Sequence, residues 1–399
     1  MKIGIEVQRL FRTRKFGIET SSLELIKALR DLEPRHEFVV FASDGADKAC
    51  ITDSNNIKVQ QVAGRLFVDF EQFYLPVAAG REQIDVLHCT GNTTPFFSPA
   101  PIVQTLHDVI FMDSISSEDS WYQRFGNHYR RRVVPLVTPR SKAVITVSRY
   151  EKERIIDRLG ISPERIHVVY NGLNNRRFHN KFTEDRRQQV RTKYLLPEHY
   201  ILFLGNEATR KNAVRVIEAY LAYAGQTTQP LPLVTPGLSE KFLSQKLMAL
   251  GQVSRRPLFH TPGYIHDDDL PVIYNMAHMF LFPSLSEGFG MPLVEAMACG
   301  TPVITSSTSC LPEIAGNAAI LVNPLKSDEI ASGIFKYIND EAFRQSKIAA
   351  GLRNAKRFDW KYAAETVLNL YESVLTESQA TQRQPNFLER YIFATKHQP

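Results

Sequence analysis

Short apolar runs alternate with amphipathic stretches along most of this chain, and several of the runs are apolar throughout, not only at every second position. A strand with apolar side chains on both sides must be covered on both sides, as in a parallel sheet flanked by helices. In the first half the strand candidates are Lys2–Val7, Glu37–Ala42, Ile57–Val62, Ile84–His88, Ile102–Leu106, Ala143–Val147 and Ile166–Tyr170. Helical patterns fall between them at Ile18–Leu32, around Glu118–Val137 and at Arg149–Leu159. The second half repeats the scheme. Its strands are expected at Tyr200–Leu204, Pro230–Thr235, Met279–Pro283, Pro302–Thr305 and Ala319–Val322, and its helices at Ala213–Tyr223, Glu240–Leu250, Asp269–Met276, Pro292–Cys299 and Ser327–Asn339. Such alternation predicts α/β architecture with doubly wound domains. At roughly 100–200 residues per domain, a chain of 399 residues has room for two.

The pattern is weakest between Asn171 and Pro197, where the turn signal Asn171-Gly172 precedes a polar, basic stretch through Asn180, Lys181, Arg186 and Arg187. The boundary is therefore placed near residue 180. A polar tail from about Thr376 ends in the aromatic cluster Phe387, Tyr391 and Phe393.

Composition excludes several classes. The net charge of +6 is too small to argue for nucleic acid, and neither zinc-finger spacing nor an interleaved aromatic and basic platform is present. It suits an anionic membrane surface or a phosphate-bearing substrate. Cys50, Cys89, Cys299 and Cys310 are scattered, without metal-ligand spacing or a disulfide framework, which suits a reducing compartment. The N-terminal MKIGIEV runs directly into a strand, and no segment has the ~20 apolar residues of a membrane span. A cytoplasmic protein, or one lying on the membrane without crossing it, is expected.

In open α/β sheets ligands bind beyond the carboxyl ends of the strands, so chemistry is sought there. The string Ser286-Glu287-Gly288-Phe289-Gly290-Met291-Pro292-Leu293-Val294-Glu295 follows the expected strand Met279–Pro283. Gly288 and Gly290 permit a tight turn, and Pro292 suits a first helical turn. The amides of Phe289, Gly290 and Met291 would then form a cradle for a diphosphate. Glu295, one turn further, could accept hydrogen bonds from a ribose diol. Glu287 would lie near a reacting sugar. The bland alternatives are a solvated loop carboxylate for Glu287 and a first-turn charge for Glu295.

Arg210-Lys211 follows the strand Tyr200–Leu204 and could neutralise a leaving nucleoside diphosphate. His107-Asp108 follows Ile102–Leu106, where a histidine could bond a sugar hydroxyl or move a proton. Gly17, after the first strand, would let backbone approach a ligand closely. Asp267-Asp268-Asp269 could suggest a metal, but it directly precedes a helical pattern where acidic residues cap and complement the dipole, and no metal is expected. Arg130-Arg131-Arg132, with Arg140 and Lys142, is the densest basic patch, either a solvated helix face or a contact for anionic lipid.

The spaced pair Glu287 and Glu295 resembles the E-x7-E signature of family 4 glycosyltransferases. The likeness continues through Val147-Ser148 to Gly160, Arg165 to Gly172, Gly205 to Asn212, Leu311-Pro312-Glu313-Ile314-Ala315-Gly316 with Ala319 to Pro324, and Phe358-Asp359-Trp360 with Ala363-Ala364. The resemblance implies a GT-B fold, in which two Rossmann-like doubly wound domains face each other across a cleft. It implies an acceptor-binding domain at 1–180, a nucleotide-sugar-binding domain at 181–358, and a final helix in 359–399 that crosses back to the first domain. Lys211 matches the family's phosphate-binding lysine. Where many members carry a basic residue after the loop glycine, this chain has Asn206, so that charge is missing or supplied by Arg210. Where two glycines are common, it has Phe16-Gly17.

The activity implied is retaining transfer of a hexose, with His107, Lys211 and Glu287 as catalytic residues. Gly17, Arg210, Lys211, Glu287, Phe289, Gly290, Met291 and Glu295 would hold the donor, without metal or cofactor. The string resembles that of bacterial polysaccharide mannosyltransferases, which favours GDP-mannose over a UDP-sugar and a glycan or lipid-linked acceptor. A nucleotide-sugar epimerase of the same fold and a non-catalytic glycosyltransferase-like binding protein are the rival readings.

Overall fold

A computed structural model describes residues 1–32, 35–64, 66–113 and 121–383. The aromatic cluster of the tail, and residues 118–120 at the start of one expected helix, lie outside the described residues.

Two parallel sheets form. The first contains β1 (Lys2–Glu6), β2 (Glu37–Ala42), β3 (Ile57–Gln61), β4 (Val86–Cys89), β5 (Ile102–Thr105), β6 (Ala143–Thr146) and β7 (Ile166–Val168). Their order is β3-β2-β1-β4-β5-β6-β7. The second contains β8 (Ile201–Phe203), β9 (Leu233–Val234), β10 (Phe259–His260), β11 (Met279–Phe282), β12 (Val303–Ser306) and β13 (Ala319–Val322), in the order β10-β9-β8-β11-β12-β13. Every neighbouring pair is parallel. Both orders reverse direction once, between β1 and β4 and between β8 and β11. At such a reversal the flanking helices diverge and leave a crevice outside the strand ends. These are Rossmann-like domains with the GT-B arrangement.

The strands are buried on both faces because their sequences are apolar on both. Val39, Phe41, Leu87 and Ile102 enter one core, while Phe38, Val40, Val86 and Val103 enter another on the opposite side. The second domain does likewise, with Leu202, Phe280 and Phe282 on one side and Ile201, Phe203, Met279 and Leu281 on the other. Each fully buried side chain of this size contributes roughly 1.5–3 kcal/mol.

Several elements differ from the expectations, helices Leu75–Glu82 and Glu341–Ala355 among them, neither of which was anticipated. Strand β10 was not anticipated, being only two residues long, too short to show a period. Helix Glu184–Tyr194 lies inside the stretch that looked structureless. It buries only Val190 and Tyr194, so almost no apolar face marks it. The expected strand Pro230–Thr235 shrinks to Leu233–Val234, since Pro230 and Pro232 have no amide hydrogen for a ladder.

The last helix, Trp360–Arg383, packs on the first domain, burying Ala363, Ala364, Val367, Leu370, Tyr371 and Val374 in its core. Leu173 and Phe178 already pack in a core of the second domain. The rings of Tyr170, Phe289 and Phe358 meet between the domains, with centroids 5.4–6.3 Å apart.

Candidate active site

The site is built at the strand-order reversal of the second sheet. After β11 the chain turns through Pro283–Gly290 into helix Met291–Ala298. Gly290 turns at φ +89°, and an added Cβ would lie 2.8 Å from a methyl of Leu311. Gly288 is required for a different reason: a Cβ there would lie 2.7 Å from the carbonyl oxygen of His107. The loop of the second domain is thus pressed against the backbone of the first.

After β8 a second loop carries Arg210 and Lys211. Asn212 ends it in the left-handed region, at φ 63°. Its side-chain amide donates to the carbonyls of Pro283 at 2.9 Å and Pro324 at 2.6 Å. The Leu285 amide donates to the Arg210 carbonyl at 2.8 Å, which joins the two loops.

Lys211 Nζ donates to Glu287 Oε1 at 2.6 Å, and Arg210 donates to both oxygens of Glu287 at 3.1 and 3.2 Å. The ring of Phe282 faces the Lys211 ammonium, 5.1 Å from its centroid. Burial of Glu287 works to raise its pKa, but the charges of Lys211 and Arg210 and the hydrogen bonds from Lys211 and Ser284 outweigh it and hold the carboxyl below its usual range. Glu287 is therefore neither solvated nor apart from Lys211 and Arg210. A diphosphate entering here would compete with Glu287 for Lys211 and Arg210, and would free the carboxylate for other partners.

Glu295 accepts from the Tyr274 hydroxyl at 3.2 Å. Burial pushes its pKa up to about 7, with Arg177 pulling against that. The Phe289 side chain is buried between the domains, so only its backbone is left for a ligand. Met291 is half-buried at the first helical position. Gly17 opens helix Gly17–Leu32, and nothing lies within 4 Å of where its Cβ would be. No protein contact requires glycine there.

From the first domain, the His107 amide donates to Asn92 Oδ1 at 2.7 Å. Its Nε2 lies 3.1 Å from the Thr90 carbonyl oxygen. A carbonyl only accepts, so Nε2 carries the proton and Nδ1 is the basic nitrogen. Burial lowers the imidazole pKa, keeping it neutral at neutral pH.

The acidic triplet does not cap its helix. No side-chain cap bond comes from Asp269, whose carboxylate accepts instead from Lys193 at 2.7 Å, from the Tyr194 hydroxyl at 2.7 Å and from Arg186 at 2.5 Å. Nor do the three consecutive arginines share a face, because successive helical residues point about 100° apart. Arg131 donates to the Phe111 carbonyl, Arg130 to Asn127, and only Arg132 is exposed.

Two features had no role assigned from sequence. Glu313 accepts from the amides of Arg149 at 2.9 Å and Tyr150 at 3.2 Å and from the Tyr170 hydroxyl at 2.7 Å, while Ser148 donates to the Gly288 carbonyl at 2.8 Å. These bonds tie the domains together beside the site. A cavity lined in part by Glu6 and Glu71 opens at the carboxyl ends of β1 and β4. The clue in the sequence is a glutamate closing the otherwise apolar run of the first strand.

Two family models match successive parts of the chain: Glycosyltransferase Family 4 over residues 17–177 and Glycosyl transferases group 1 over residues 185–354. The O-antigen chain mannosyltransferase B of Escherichia coli is 29% identical over 273 residues, covering 68% of this chain and 70% of that protein. The serotype-specific mannosyltransferase WbdA of Escherichia coli is 30% identical over 245 residues, or 61% of this chain, and the match spans only 30% of that longer protein. Among solved structures, Anabaena Alr3699/HepE in complex with UDP and glucose aligns over 94% of this chain and 100% of its own, with TM-score 0.71 and 19% identity. That likeness is one of fold. Among the described residues, no helix is long and apolar enough to cross a membrane.

Proposed function

The chain belongs to glycosyltransferase family 4, and from that premise we propose that it is a retaining, metal-independent hexosyltransferase of polysaccharide biosynthesis. Its first domain, near residues 1–180, takes a glycan or lipid-linked acceptor. Its second, 181–358, takes a nucleotide-sugar, and the helix in 359–399 returns to the first. The donor we favour is GDP-mannose, a preference supported by the relatives named for mannose transfer. A UDP-sugar is the alternative. The protein works in the cytoplasm, on an anionic membrane surface.

One observation carries this reading: Lys211, Arg210 and Glu287 form a single cluster at the crevice of the second sheet, in the loop that touches His107 through Gly288. The diphosphate charge is met by the two cations and by the amides of Phe289, Gly290 and Met291 at the helix start. Glu287 and His107 hold the donor sugar and Glu295 the ribose. The bond from the anomeric carbon to the phosphate oxygen breaks, and the acceptor oxygen bonds to that carbon on the same face. The acceptor's proton passes to the departing phosphate oxygen. Contact between the domains excludes water and limits hydrolysis.

The test is nucleotide release from a panel containing GDP-mannose and UDP-hexoses, with and without glycan acceptors. Lys211→Ala and Glu287→Ala should each lower turnover about 10²–10³-fold while the protein stays folded. Transfer at the wild-type rate in both variants contradicts the assignment.

A further inference from the structure

The cavity at the strand-order reversal of the first sheet is not accounted for by donor binding. It opens beyond the carboxyl ends of β1 and β4, where Glu6, Gln8, Thr90, Gly91 and Tyr129 line it, the place where open parallel sheets bind ligands. Thr90 connects it with the site already described, because Thr90 lines the cavity while its carbonyl accepts from His107.

Two buried carboxyl groups reach this cavity from different elements. Glu6 is the last residue of β1 and is 7% exposed. Its Oε1 accepts from the Gln8 amide at 2.8 Å, and Oε2 lies 3.6 Å from where a Cβ of Gly91 would be. Glycine at 91 thus leaves the space in front of that oxygen unfilled. Glu71, also 7% exposed, is fixed by the Tyr129 hydroxyl at 2.8 Å, by Gln72 Nε2 at 2.7 Å and by the Thr93 hydroxyl. Phe67 packs edge-on against Tyr129, with centroids 4.7 Å apart, and supplies an apolar wall.

We propose that this cavity seats the acceptor's terminal sugar, and that Glu6 and Glu71 bind the hydroxyls of an uncharged pyranose there. The inference rests on the transferase reading and adds the class of acceptor to it. Burial pushes the Glu6 carboxyl up to about 7, and the nearby Glu71 adds to that. Near neutral pH Glu6 can therefore both donate and accept, as a sugar hydroxyl does. A carboxylate or phosphate brought beside this pair would meet like charge in a desolvated site. Arg9 and Arg130 also line the cavity, but both are engaged within the protein. Arg9 draws the Glu6 carboxyl the other way, against the effect of burial.

The probes are methyl α-D-mannopyranoside, methyl α-D-glucopyranoside and the anionic methyl β-D-glucuronopyranoside, titrated by saturation-transfer NMR in the presence of GDP. At least one neutral glycoside should bind the wild type and the glucuronoside should not. Glu6→Gln and Gly91→Leu should each weaken that binding about tenfold or more, the loss expected for hydrogen bonds to such a group. The contact at Gly91 is an ordinary one at 3.6 Å, so Gly91→Leu screens the carboxyl without removing it. It keeps the test decisive if Glu6→Gln does not fold. Binding of the glucuronoside as tight as that of the neutral sugars, absence of neutral-sugar binding, or unchanged binding in Gly91→Leu overturns the proposal. GDP and UDP binding, followed by thermal shift, should survive in both variants. A wild type that binds neither nucleotide marks failure of the transferase reading instead.

Discussion

Glu295 stands one turn into helix Met291–Ala298, where burial pushes its carboxyl up to about 7. A ribose diol donates two hydrogen bonds, and an ionised carboxylate accepts both, whereas the protonated acid accepts less well. Below about pH 7 the group takes up a proton, so donor affinity should fall with acidification. The affinity for GDP-mannose, measured calorimetrically, should drop by roughly tenfold from pH 8 to pH 6. The phosphates of GDP-mannose are diesters and do not titrate in that range. Glu295→Gln should bind more weakly and show no such slope, and an equal slope in the variant assigns the titration elsewhere. The same residue shows what a sequence conveys. The spacing of Glu287 and Glu295 and the glycines around Phe289 are local features, so the turn from β11 into helix Met291–Ala298 was legible. The ion pairing of Glu287 with Lys211, 76 residues away, is a product of folding. So is the meeting of Glu6 with Glu71, because nothing near either residue names the other.

At the scale of elements, legibility followed apolar patterning. The long strands and most amphipathic helices stood out, while helices Glu184–Tyr194 and Glu341–Ala355 and strand β10 did not, the two helices burying few apolar side chains and the strand being too short. The closing helix was placed by resemblance, and beside its apolar packing it makes a buried polar contact that no period reveals. His88 in β4 lies between the Tyr371 hydroxyl, at 2.6 Å from Nδ1, and Thr105 Oγ1, at 2.7 Å from Nε2. Burial drives the imidazole pKa down to about 3, so the ring stays neutral and needs one donor and one acceptor. Tyr371→Phe removes one partner and leaves a buried nitrogen unsatisfied. The expected loss is about 1–3 kcal/mol of unfolding free energy, measured by urea denaturation. A variant as stable as the wild type would show that the helix is held by apolar packing alone.

The molecule as a whole carries an uneven surface. Phe97 is 82% exposed and Phe73 68% exposed, and Leu66, Val77, Phe125 and Leu136 are exposed as well. These residues come from neighbouring segments: Gln72 accepts from the Phe96 amide at 3.0 Å and donates to Tyr129 at 3.0 Å, and the Phe67 and Phe125 rings lie 5.9 Å apart. Scattered apolar residues are ordinary, but a group of them on one domain marks an interaction surface. Exposed cations accompany them at Arg124, Arg132 and Arg140, the last 5.7 Å from the Phe96 ring. Aromatic and aliphatic side chains beside cations fit an anionic bilayer, where each cation contributes about 1 kcal/mol. At Arg130–Arg132, read from sequence as either a solvated helix face or a lipid contact, only Arg132 is exposed, so a lipid contact would fall to Arg124, Arg132 and Arg140. Replacing these three with Gln should reduce co-sedimentation with phosphatidylglycerol-containing vesicles by about a hundredfold in partition constant. Phe73→Ser with Phe97→Ser should reduce it at high salt too, where the electrostatic part is already screened. Binding that is absent in the wild type, or intact in both variants, would leave this face without a role at the membrane. Loss in the charge variant alone would mean that the bilayer is met by attraction without insertion.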